Sequence, residues 1–320
     1  MQMDCCCPKA YPSPCQERKC KPLTCCPRSG SVNNDWMYVF TFAEDIVKNV
    51  INPKLRISFI IYATYGTTIM KLSSDINTIE DGLNKLRNVR PQGATYMQEG
   101  FKRAIEQMEV SNAGGVKVPT VIIAMTDGTL EPKPLKETVE LANKVRSMGV
   151  TVYCVGVKEY LQEQLDVIAD SKEHAIGVTG GFPALGSVTG ELSKRSCIQI
   201  VSLEPPSVCA GEKYEVVVHG SGFQNAQNKE DVLCSFKFSD TNVVNENAIT
   251  VEENTVTCPG PLLEEAEMTV FVEVSLNNGL NFLSNDLSIT STKCVMAPRR
   301  GHPGPPQPLP CPLSTQHDGQ

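Results

Sequence analysis

One carboxylate, Asp127, closes an apolar run: Val121, Ile122, Ile123, Ala124 and Met125 lead straight into Thr126-Asp127-Gly128. A continuous apolar run bounded by turn residues fits a strand buried on both faces of a parallel sheet. A carboxylate where such a strand stops lies at the carboxyl edge of the sheet, where open α/β sheets bind ligands. Taken alone, Asp127 is better explained as a turn former. Two further segments, Ser29-Gly30-Ser31 and Gly93-Ala94-Thr95, change that weighing, because each flanks a strand end or a helix start. Ser29, Ser31 and Thr95 offer hydroxyls to join the carboxylate of Asp127. Hard oxygen ligands of low total charge suit Mg²⁺, or else Mn²⁺ or Ca²⁺. Such a site keeps a position open that an acidic group of a partner can fill. Each hydroxyl by itself is more simply a helix N-cap; three at compatible sheet positions are not.

The elements that must position these groups follow from periodicity. Trp36, Val39, Phe40, Ala43, Ile46, Val47 and Val50 recur at helical spacing. Leu55 to Tyr62 reads as a buried strand, and Thr67 to Leu72 as a shorter one at an edge. Ile76, Ile79, Leu83 and Leu86 mark a helix, and Met97, Phe101, Ala104, Ile105 and Met108 a second, beginning just after Thr95. After the strand that ends at Asp127 come a helix through Leu135 to Val145, a buried strand over Val150 to Val157, and a short helix at Leu165 and Ile168. A last strand at Ala175 to Val178 and a closing helix from Phe182 to Leu192 complete the pattern. Strands alternating with amphipathic helices predict a doubly wound, mostly parallel α/β domain over 27–197. From 198 to 294 the pattern becomes short strands and turns without a strong helix, which predicts an all-β immunoglobulin-like sandwich. Residues 1–26, rich in Cys and Pro, read as irregular, and the Pro-rich tail 295–320 as disordered.

A chain of 320 residues holds about two domains. Its net charge of -7 and lack of a basic block argue against nucleic acid and anionic lipid as partners. No run approaches the roughly 20 apolar residues of a membrane span, and no apolar signal segment is visible in MQMDCCCPKAYPSPC. The 14 cysteines include widely spaced ones without a CxxC pair, which favours disulfides over zinc and so an oxidising compartment. Cys209, Cys234, Cys258 and Cys294 are expected to form two disulfides in the β domain, with three connectivities open. Cys154, in an apolar strand, is expected to be a buried core thiol. No N-x-S/T sequon occurs. An enzyme is the less favoured class. There is no G-x-G-x-x-G or G-x-S-x-G, the histidines are scattered, and Glu99, Glu131 and Glu173 read as a solvated face.

The N-terminal half resembles the von Willebrand factor A domain, whose metal-ion-dependent adhesion site reads Asp-x-Ser-x-Ser, then a Thr, then the Asp of T-D-G. CAGEKYEVVVHGSGFQN and SITSTKC in the second half, with SFIIYAT, IIAMTDG, VYCVGV and IADSKEH in the first, resemble the extracellular part of the anthrax toxin receptor family. The resemblance implies a cell-surface or extracellular receptor-type binding module. In it Ser29, Ser31, Thr95 and Asp127 hold a divalent cation and capture an acidic protein ligand, extracellular matrix or toxin-like. The chain departs from the family at Pro27, where the leading Asp should stand, and at CKPLTCC, which holds the place of the family's apolar central strand. A lost carboxylate implies weak or absent Mg²⁺ binding, leaving a metal-independent interaction protein as the alternative, and a lost strand implies a weakened sheet. The family also ties the ends of this domain by a disulfide, for which Cys197 is one half and Cys20, Cys25, Cys26 or none the other.

Overall fold

The computed structural model describes residues 21–50, 56–112, 119–196, 198–239 and 241–294. The expectations for residues 1–20, for Cys197 and for the tail from 295 lie outside the described residues.

Six strands form the first sheet: β1 (Lys21–Pro27), β2 (Ile57–Tyr62), β3 (Gly66–Ser73), β4 (Thr120–Gly128), β5 (Val150–Glu159) and β6 (Ala175–Val178), in the order β3-β2-β1-β4-β5-β6. Every neighbouring pair is parallel except β2 with the edge strand β3. Six helices cover it: α1 (Trp36–Val50), α2 (Ile76–Arg87), α3 (Met97–Asn112), α4 (Pro132–Ser147), α5 (Gln162–Ile168) and α6 (Gly186–Ser196). The alternation of side chains along β4 explains its unbroken apolar run. Val121, Ile123 and Met125 enter a core shared with α1, α2 and α6, while Ile122 and Ala124 enter the opposite core with α3, α4 and α5. The doubly wound fold expected from the pattern is therefore the one formed. The closing helix is broken where Pro183 sits in a 3-10 turn, Phe182–Ala184, ahead of α6.

The central strand expected to be lost is present, and this is a correction. KPLTCCP forms β1 between β2 and β4 and straddles the expected boundary at 26/27. Its cysteines substitute for larger apolar residues because a thiol packs as a small hydrophobe. Leu23 and Cys25 fill one face and Cys26 the other, all essentially inaccessible. Burial pushes the Cys26 thiol up to about 12 and the Cys25 thiol higher still. Both are free, so neither is the partner of Cys197. Pro27 is tolerated because β1 pairs with β4 only through Cys25↔Ala124, whereas its pairing with β2 runs on to Pro27↔Tyr62. The missing N–H falls beyond the β4 ladder. Cys154 on β5 is free and buried, with its thiol likewise pushed up to about 12 by burial, as its apolar setting predicts.

The second domain is two stacked sheets. β7 (Gln199–Glu204), β9 (Glu215–Ser221), β12 (Thr250–Val251) and β13 (Thr255–Pro259) form one, in the order β12-β13-β9-β7. β8 (Ser207–Cys209), β10 (Leu233–Lys237), β11 (Val243–Asn247), β14 (Thr269–Ser275) and β15 (Ser288–Thr292) form the other, in the order β11-β10-β14-β15-β8. The connectivity left open by spacing is Cys209–Cys294 and Cys234–Cys258. The second bridge joins β10 to β13 and so staples the two sheets through the core. No helix among the described residues is long and apolar enough to cross a membrane.

The domains meet at the amino edge of the parallel sheet. The Nδ2 groups of Asn277 and Asn281 donate to the Gly149 carbonyl at 3.3 and 2.8 Å. Nearby, the guanidinium of Arg146 is satisfied on three sides: Asp170 Oδ1 at 2.9 Å, Asn143 Oδ1 at 2.5 Å, and the carbonyls of Ile168 and Ala169.

Candidate functional site

At the opposite, carboxyl edge, the loop after β1 opens beside the end of β4 because the two strands are neighbours. That adjacency brings Ser29 to Asp127 across 98 residues of chain. Both are 2% exposed. Ser29 Oγ donates to Asp127 Oδ1 at 3.1 Å and lies 2.8 Å from Ser31 Oγ. A serine has one proton to give, and that of Ser29 goes to Asp127, so Ser31 is the donor in the second bond. The other carboxylate oxygen, Asp127 Oδ2, is buried and has no hydrogen-bond partner. A buried carboxylate oxygen left unpaired is costly, and native structures rarely leave one without a reason.

Thr95 reaches the same edge through its backbone. Gly30 N donates to Gly93 O at 3.2 Å and Gln92 N to Arg28 O at 2.8 Å, so the loop before α3 is laced to the loop after β1. The turn after β2 holds it from the other side: Ala94 N donates to Thr64 Oγ1 at 3.2 Å, and Tyr96 N to Ala63 O at 3.2 Å. Gly93 is needed there. Its φ is +99°, and a Cβ would stand 2.8 Å from Thr64 Oγ1. Thr95, half-buried, follows two residues later, just ahead of α3. The structure thus joins Ser29, Ser31 and Asp127 side chain to side chain, and adds Thr95 through the loop that carries it. Pro27, buried at the end of β1, brings no oxygen from its side chain.

Tyr62, the last residue of β2, belongs to this edge and was not singled out by the sequence pattern. It is fully buried, its hydroxyl donates to the Met125 carbonyl, and burial together with the nearby Asp127 carboxylate holds the phenol well above its ordinary range. Only its place at the end of an apolar strand, in SFIIYAT, could have marked it. Among the described residues no group of three or more His, Cys, Asp or Glu could hold a metal ion. Any cation here must be held mainly by hydroxyls and a single carboxylate. The donor set is hard, compact and carries an orphaned acceptor, so it fits a hard divalent cation in kind but is short of charge.

Comparison with known proteins gives two family matches in sequence order. Residues 26–188 match the von Willebrand factor type A domain, and residues 195–296 match the anthrax receptor extracellular domain. Among curated proteins, the human collagen alpha-5(VI) chain is 25% identical over 219 residues, covering 66% of this chain and 8% of that one. Mouse matrilin-2 is 29% identical over 98 residues, covering 30% of this chain and 10% of that one. This chain thus matches only a small part of those relatives' length. Among solved structures, proximal thread matrix protein 1 from the mussel byssus shares the fold, with a TM-score of 0.50 and 20% identity over 61% of this chain and 50% of that one.

Proposed function

This chain belongs to the von Willebrand factor type A domain family, with an anthrax receptor extracellular domain following it, and from that premise we propose that it is an extracellular binding module for an acidic protein ligand, assisted by a divalent cation. The observation that carries the reading is Asp127 Oδ2, buried and unpartnered beside two serine hydroxyls. Ser29, Ser31, Thr95 and Asp127 would hold Mg²⁺, or Mn²⁺ or Ca²⁺ in its place. A bound cation would supply the positive charge that lets a ligand carboxylate settle against a site whose own charge is negative. Ser29 keeps its hydroxyl on Asp127, Ser31 keeps its own on Ser29, and the lacing of the Gly93 loop holds Thr95 in place without the ion. The partner class, extracellular matrix or toxin-like protein, is supported by the family and by the matrix proteins among its relatives.

Pro27 favours a second reading, a metal-independent interaction module on the same scaffold. Mg²⁺ sheds water reluctantly and needs carboxylate charge near it. Cys26 and Arg28 cannot replace the missing carboxylate, since a thiol is too soft and a guanidinium has the wrong sign. Titration calorimetry with Mg²⁺ on the full chain, on Pro27→Asp and on Pro27→Asp with Asp127→Ala separates the two. The expected result is weak binding by the unmodified chain, a gain of about tenfold or more with Pro27→Asp, and loss of that gain in the double variant. Tight binding by the unmodified chain refutes the deficit. Equal binding by all three removes the cation from the account.

A further inference from the structure

We propose that, before any ligand arrives, the carboxyl-edge site of Ser29, Ser31 and Asp127 holds one monovalent cation, Na⁺, in preference to Mg²⁺. This rests on the reading of that edge as a cation site and assigns the ion that the unliganded chain takes.

Protons and charges together decide the ion. A hydroxyl has one proton to give and two lone pairs with which to accept. Ser31 gives its proton to Ser29 at 2.8 Å, and Ser29 gives its own to Asp127 Oδ1 at 3.1 Å. Both serine protons are thereby spent inside the cluster. What it has left are acceptors: lone pairs on Ser31 Oγ and Ser29 Oγ, and the whole of Asp127 Oδ2, buried and unpartnered. The Tyr62 hydroxyl, on the same edge, is committed to the Met125 carbonyl. A water satisfies an acceptor but leaves the carboxylate charge uncompensated.

A carboxylate only 2% exposed is ordinarily paired with a cation or bound to a metal. Asp170 at the opposite edge shows the first arrangement, with Oδ1 on the Arg146 guanidinium at 2.9 Å. Asp127 has no such partner: among the described residues it makes no ion pair. The charged groups on the flanking segments are turned elsewhere. Arg28 Nη1 donates to the Arg90 carbonyl at 3.5 Å, and Lys102 Nζ donates to Glu99 at 2.6 Å. No second carboxylate among the described residues is hydrogen-bonded to the cluster, and Pro27 supplies none. One negative charge among neutral hydroxyls is balanced by one positive charge. Na⁺ carries that charge and is bound by neutral oxygens as well as charged ones. Mg²⁺ would leave an excess positive charge in a buried site, and it gives up water reluctantly. A second carboxylate removes the excess, whether it comes from a ligand or from Pro27→Asp. Where a divalent cation does enter, it and an acidic ligand must therefore raise each other's affinity by the same factor.

The test is sodium-23 NMR relaxation in the presence of the full chain. Asp127→Asn serves as the control for Na⁺ gathered by the remaining acidic surface, since the net charge is -7. The enhancement with the unmodified chain is expected to exceed that with Asp127→Asn by about twofold or more, and to survive about 1 mM Mg²⁺. The same Mg²⁺ should remove it from Pro27→Asp, where a second carboxylate stands. Equal enhancement with the unmodified chain and with Asp127→Asn overturns the proposal. Loss of the enhancement from the unmodified chain with Mg²⁺ alone also overturns it, while leaving the divalent reading of the site intact. An enhancement that needs Asp127 and that Mg²⁺ removes from none of the chains supports Na⁺ and counts against the divalent reading instead. Should Asp127→Asn fail to fold, the thermal midpoint of the unmodified chain decides. It should rise by about 1 °C or more in NaCl over choline chloride at equal ionic strength, and an equal midpoint in the two salts overturns the proposal.

Discussion

The two ends of the parallel sheet each gather a cluster of polar side chains around a buried aspartate, Asp170 at one and Asp127 at the other, and they treat them differently. At the amino edge, Arg146, Asp170, His174, Tyr153 and Asn225 pair with one another and with backbone carbonyls until their strong donors are used. At the carboxyl edge, Ser31, Ser29 and Asp127 form a chain of hydrogen bonds that stops short, leaving Asp127 Oδ2 buried without a donor. Burial does not separate the two aspartates; satisfaction does. A completed network is a joint, worth stability to the fold, whereas an unfinished one leaves a buried acceptor free, which is the feature the proposed cation site rests on.

The comparison can be broken by substitution. Arg146→Ala should cost the most, about 3–5 kcal/mol, because it leaves the Asp170 carboxylate buried and unpaired. Denaturant unfolding reads this directly, and a loss under about 1 kcal/mol would mean that the amino edge is not a closed network. Asn225→Ala follows, at about 2–4 kcal/mol, since Tyr153, His174 and two carbonyls lose their partner together. Its thermal midpoint should fall, with the second domain's hydrogen-exchange protection falling alongside.

At the other edge the effects should shrink. Tyr62→Phe removes one buried bond, to the Met125 carbonyl, for about 1 kcal/mol. Asp127→Asn in metal-free protein should change stability by less than about 1 kcal/mol, since the oxygen it replaces has no partner to lose. If Asp127→Asn proves as costly as Asn225→Ala, Asp127 is structural and the contrast between the edges fails. Cys154 offers a sharper control on burial itself: a thiol reagent at about pH 8 should leave it unmodified in the folded chain and label it on unfolding, because a thiol pushed up to about 12 presents almost no thiolate.

Much of this was legible in the chain alone, and what escaped it did so for identifiable reasons. The run VIIAM just ahead of Thr126-Asp127-Gly128 fitted a strand buried on both faces, because it is apolar at successive positions, of strand length and bounded by turn residues. KPLTCCP hid a central strand behind two prolines and two thiols. Its burial depends on β2 and β4 pairing along both of its sides, and no local pattern carries that information. Ser29, Ser31 and Asp127 could be grouped from their positions at strand ends. The direction of their hydrogen bonds, and the oxygen left over, could not.

By itself, then, the sequence determined the alternation of strands and helices, the change to β structure after 197, and which cysteines of the second domain would pair among themselves. Period and composition act locally, and each of these rests on a local pattern. Tertiary structure alone decided that Cys209 joins Cys294 and Cys234 joins Cys258, that Pro27 lies just beyond the β4 ladder, and that Asn225 meets Tyr153 and His174 across the domain junction. These are contacts between residues far apart in the chain. Their partners are chosen by the packing of whole sheets, and no window of sequence contains both sides of the choice.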